Sequence, residues 1–139
     1  MADFTITGSQ VLPGGTGALF VDGVAGEAVT AGKSVYFDVA TTSYMLADAN
    51  ASLATSAVRG IALHAAGIGQ PIRVQTNGTV TIGAGAAIPV GAIVIQSATP
   101  GGLAPAADLA TGMRTSVIGF GGAAGALILG LNNSGQLVP

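Results

Sequence analysis

The sequence predicts an all-β fold, a compact β-sandwich or β-barrel of short strands, and three observations carry that expectation. Short runs rich in β-branched and aromatic residues recur at spacings of about 8–12 residues with turn signals between them, as in sandwiches and barrels. Alternation of period two marks Ile72 and Val74 against Arg73 and Gln75, and Val80 and Ile82 against Thr79 and Thr81. The chain is half hydrophobic yet only 4% aromatic, its apolar mass being small aliphatic side chains among 23 glycines in 139 residues.

Residues 1–25 come first. Phe4-Thr-Ile6-Thr alternates, Pro13-Gly14-Gly15 breaks the chain, and Ala18–Val21 resumes it. This segment reads as an edge strand or as an arm that adds a strand to a neighbouring subunit, because a free arm would leave Phe4, Ile6, Val11, Leu12, Leu19 and Phe20 wet.

The remainder, 26–139, reads as one β domain with an internal duplication, 26–83 and 84–139. At a constant shift, Gly26–Gly32 falls on Gly85–Gly91, Ser34–Phe37 on Ile93–Gln96 and Gly60 on Gly119; after a short gap, Gly69–Ile72 falls on Gly125–Ile128. Each unit predicts a turn (Ala31-Gly32, Val90-Gly91) and a strand (Ser34–Asp38, Ala92–Ser97). A second short strand follows (Tyr44–Leu46, Leu103–Pro105), then an Ala-rich loop (Ala47–Ala57, Ala106–Thr111). The strands Ala57–Leu63 and Thr115–Phe120 carry the matched glycines, and Gly-rich turns lead into Pro71–Gln75 and Ala126–Leu131. Asn77-Gly78 predicts a hairpin into Thr79–Ile82, since both residues tolerate positive φ.

Charge restricts function. Charged residues are 7% of the chain, four basic and six acidic, against roughly 25% in an ordinary soluble domain. So little charge predicts a surface that works against protein partners, in a closed oligomer. Lys33, Arg59, Arg73 and Arg114 are too few and too scattered to neutralise a run of phosphates, so no nucleic-acid partner is expected. Ser116–Leu131 is uncharged and apolar, but its glycines fit two strands around a turn better than a membrane helix, and no membrane partner is expected.

No catalytic constellation emerges. The sequence has one histidine and no cysteine, so a histidine-dependent mechanism rests on His64, which reads as a turn residue bonded to a local carbonyl. Of the carboxylates Asp38, Asp48 and Asp108, the first two fit turn or cap positions, and paired-carboxylate catalysis is not expected. Gly119–Gly125 lacks the Lys-Ser/Thr ending of a phosphate loop. The expectation is no enzyme, no cofactor and no metal. Arg59, Arg73 and Arg114 are expected either solvated or paired with carboxylates across a subunit boundary; with Phe4, Ile6, Leu12 and Phe20 they form the candidate interface set.

The runs Ala31–Asp38, Tyr44–Ala49, Arg59–Leu63, Gly69–Thr76, Ser97–Pro105 and Asp108–Gly112 resemble the small capsid decoration, or cement, proteins of tailed bacteriophages. The resemblance implies a non-catalytic β-rich virion protein on the outer capsid surface, at junctions between major capsid protein subunits, commonly trimeric. The competing expectation is an adhesion or carbohydrate-binding module of a fibre or spike, against which stands the lack of tryptophan and the presence of only two tyrosines, Tyr36 and Tyr44.

Overall fold

The computed structural model describes residues 3–14, 17–83, 86–122 and 125–139. Outside the described residues lie Gly15 of the Pro13–Gly15 break, Gly85, which was matched to Gly26, and Ala123 and Ala124 of the Gly121–Gly125 turn. Among the described residues ten strands carry the fold: β1 (Leu12–Pro13), β2 (Leu19–Val24), β3 (Ser34–Asp38), β4 (Ser43–Leu46), β5 (Gly60–Ala62), β6 (Pro71–Thr81), β7 (Ile93–Gln96), β8 (Leu103–Pro105), β9 (Arg114–Gly121) and β10 (Ala126–Leu137). They form one sheet in the order β4-β3-β5-β6-β10-β9-β7-β8, with β1 and β2 also on β6. The sheet is antiparallel and curls into a half-barrel, the all-β class that the pattern predicts. Ser116–Leu131 is two antiparallel strands, β9 and the start of β10; no helix among the described residues is long and apolar enough to cross a membrane.

The two units share one strand order. Residues 34–81 run β4-β3-β5-β6 from the sheet edge inward, and residues 93–137 run β8-β7-β9-β10. Register repeats as well: Ser34 pairs with Ile61 and Val35 with Gly60, while Ile93 pairs with Phe120 and Val94 with Gly119. Gly60 and Gly119 hold equivalent places for the same reason. A Cβ on Gly60 would run into the Gln75 carbonyl oxygen, and one on Gly119 into that of Ile128, so only glycine lets these strands close. Further on the match slips. Ile61 pairs with Gln75 and its counterpart Phe120 with Ile128, so Ile128 occupies the place of Gln75, not that of Ile72.

Asn77-Gly78 does not reverse the chain. It lies inside β6, where Gly78 takes φ +88°, and the Gln75 side-chain amide donates to the carbonyls of Asn77 (3.0 Å) and Thr79 (2.9 Å). Gly78 alone supplies the positive φ expected of the pair, and partner strands hold the backbone extended on either side: β2 and β5 before the bulge, β1 and β10 after it. The bulge also resets the alternation. Gln75, expected on the polar face, is fully buried, on the same side as Val80 and Ile82.

The main core lies between the units. Ile61, Val80, Ile82, Val94, Leu103, Ile118 and Leu127 meet there. A second core, with Val35, Tyr44, Ala62, Ile72 and Val74, covers the other face of the first unit beneath Ala25, Val29 and Ala66. The Ala47–Val58 loop closes the seam with polar bonds. Ser34 Oγ donates to Gln96 Oε1, and the Gln96 amide donates to Ala47 O (2.9 Å). Asn133 exchanges two bonds with the Val58 backbone, at 3.0 and 3.1 Å.

The N-terminal segment belongs to its own domain, the edge-strand alternative. β1 and β2 pair with β6, Phe4 N donates to Leu103 O and Thr7 N to Ile82 O, and Asp3 accepts from Ser97 Oγ. The expectation of a free arm gives way, because β1, β2 and these groups are already paired within the chain.

Candidate interaction surface

The candidate interface residues separate into three groups. Phe4 and Ile6 are half-buried against the main core, which removes them from the exposed set: alternation placed them on one face without saying that the domain itself covers it. Arg114 Nη1 donates to Gly135 O at 2.8 Å, so it serves its own chain. Leu12, Phe20, Arg59 and Arg73 are exposed.

Arg73 is committed locally. β2 sets Asp22 directly across from it, and the guanidinium grips the carboxylate with Nε–Oδ1 at 2.7 Å and Nη2–Oδ2 at 3.0 Å. That hydrogen bond, reinforced by the positive charge, holds the Asp22 carboxyl below its usual range and raises the Arg73 pKa in turn. The guanidinium also lies 5.7 Å from the centre of the Phe20 ring, within cation–π range. The partner of Arg73 is therefore a carboxylate of its own sheet.

Among the described residues β2 pairs along its length with one strand, β6; its other edge is met only past its C-terminal end, where Ala25 bridges Tyr44 and Gly26 N donates to Tyr44 O, and is open before that. Leu19, Phe20 and Val24 are exposed along it. Edge strands are usually blunted by charge; here the one charge on the strand, Asp22, is matched by Arg73. The result is an uncharged, partly apolar strand edge.

A second surface was not foreseen from the sequence. On the outer side of the second unit, Ile93, Phe120 and Ile128 stand side by side across β7, β9 and β10, at 46%, 42% and 45% exposure. Each looked like an ordinary core residue of a strand. The detectable signal was pairwise: the places matched to Ile93 and Phe120 hold Ser34 and Ile61, so a polar–apolar mismatch marked faces with different surroundings.

Chemistry is sparse. His64 Nε2 accepts from Arg73 N (3.2 Å), which places the ring proton on Nδ1, beside Ala65 O (3.0 Å). Both ring nitrogens are thereby spent on backbone; the Ala65 carbonyl is the local partner that the sequence suggests, and the Arg73 amide is an addition. Among the described residues no group of three His, Cys, Asp or Glu side chains could hold a metal ion. A surface depression of about 450 Å³ is lined by Asp3, Ser97, Asp108 and Met113, but Asp3 is engaged there with Ser97. Burial raises the Tyr36 pKa, helped by the nearby Asp38 and Glu27 charges. No family model matches the chain, and no curated protein is similar to it.

Proposed function

We propose that this chain is a structural virion protein that decorates the outside of a tailed-phage capsid as a closed homotrimer. It binds between major capsid protein subunits and holds them together. The observation that carries the reading is the open β2 edge with Leu19, Phe20 and Val24 exposed beside a self-neutralised Asp22–Arg73 pair. Main-chain bonds at such an edge supply affinity, and alternate side chains supply specificity. The resemblance in sequence pattern to capsid decoration proteins points the same way, as does a surface with only ten formal charges to desolvate.

The mechanism is additive. Each copy buries apolar area worth roughly 25 cal/mol per Å², and symmetry multiplies a modest contact over the shell. No bond is made or broken. Co-sedimentation of the purified protein with undecorated capsids of the encoding phage tests this. Binding is expected to saturate, and the double substitution Leu19→Lys and Phe20→Lys is expected to weaken it at least tenfold while the circular dichroism spectrum stays β-rich. Failure of the unaltered protein to sediment with capsids overturns the reading.

A further inference from the structure

The two units are paired alike but covered differently. In the first unit the cross-strand row Ser34–Ile61–Gln75 is fully buried. What covers it is the opposite face of the second unit, carrying Val94, Leu103 and Leu127. The equivalents of those three residues in the first unit, Val35, Tyr44 and Val74, lie in the second core, capped by Ala25, Val29 and Ala66. The units thus stack head to tail, the inner face of one on the back of the next. Such stacking leaves one face of each kind at its ends. The chain caps the first end itself and leaves the other, Ile93–Phe120–Ile128, bare.

We infer that this row is where copies of this chain meet, each copy bringing its row to the symmetry axis of the assembly, where it packs beside the same row of the other copies. Head-to-tail continuation is closed off, because the face that would receive the row is already capped within every copy. A row meeting its own image must not repel itself, and this one carries no charge. Its outward neighbours are Thr79, the partner of Ile128, and Thr81 with its flanking partners Ala126 and Leu12. From β7 to β1 the uncharged face spans four strand spacings, about 19 Å. Phe120 lies over Gly130, where a Cβ would only touch the ring, so the aromatic surface is unobstructed. The equivalent row of the first unit, through Ile61, is already covered within the chain by the back of the second unit, which shows that such a row takes a packed partner. This inference does not rest on the capsid reading: it concerns the free protein.

Light scattering on the purified protein reads the outcome. Its mass is expected at a whole multiple of 13.3 kDa, and Phe120→Asp is expected to return it to one chain with an unchanged circular dichroism spectrum. Ile128→Asp serves if that variant fails to fold, and Val39→Asp, in the turn between β3 and β4, is expected to leave the assembly intact. The absence of native cysteine makes Ile128→Cys a clean probe: a short bismaleimide should link one copy to another. A single-chain mass for the unaltered protein at every concentration, an assembly that both aspartates leave unchanged, or no cross-link at Ile128→Cys overturns the inference.

Discussion

The two β units of this protein agree in strand order and in the register of their central strands, yet Ile61 is sealed inside and its counterpart Phe120 faces out. Hydrogen bonding therefore does not decide which face of a sheet is core. Coverage does, and coverage is a property of what stacks on the sheet. The first unit has a neighbour on each face: the second unit on one, residues 25–29 with Ala66 on the other. The second unit has the first on one face, and on the other the row of Ile93, Phe120 and Ile128 stays exposed.

What the units share should break alike. Gly60→Val and Gly119→Val each drive a side chain into the carbonyl of the adjacent strand. Each is expected to cost more than about 3 kcal/mol, read as loss of a cooperative unfolding transition. If only one of the pair unfolds the protein, the two strand contacts are not equivalent.

What the units do not share should break apart. Ile61→Ala opens a cavity in the main core and is expected to cost about 2–5 kcal/mol by denaturant titration. Ile128→Ala, on the exposed row, is expected to cost about 0.5 kcal/mol or less in the isolated chain. Equal costs would mean that the row is covered after all. Between these lies Gln96, whose amide joins Ser34 to the Ala47 carbonyl at the seam; Gln96→Ala takes the acceptor from the buried Ser34 hydroxyl, while the Ala47 carbonyl keeps the Gly101 amide, and is expected to cost about 1–3 kcal/mol.

The smallest effect belongs to the exposed Asp22–Arg73 pair. The carboxyl of Asp22 has a lower pKa folded than unfolded. Its contribution is therefore complete above the ordinary carboxylate range and fades as pH falls through the lowered value. Asp22→Asn should flatten that acid-side loss of stability slightly, and added salt should mask the difference at neutral pH.

Much of this fold was legible in the residues. The run Ser34–Asp38 became β3 without change, Leu103–Pro105 became β8, and the uncharged Ser116–Leu131 became two strands, because period and turn chemistry act locally. Asn77-Gly78 misled for the opposite reason. Positive φ at Gly78 serves a hairpin or a bulge equally well, and only the strands on either side select the bulge. Gln75 followed suit, its burial depending on that bulge. The site was less legible than the fold. Leu12 and Phe20 are exposed as expected, but nothing local distinguishes Phe4, which the domain covers, from Phe120, which it leaves open.

The central claim is that the face bared by this stacking is a working contact surface. A reconstruction of decorated capsids at side-chain resolution tests it most directly. The account predicts Ile93, Phe120 and Ile128 enclosed between copies of this chain, with the β2 edge of each copy against the major capsid protein. Copies bound singly, with that row turned to solvent, would contradict it.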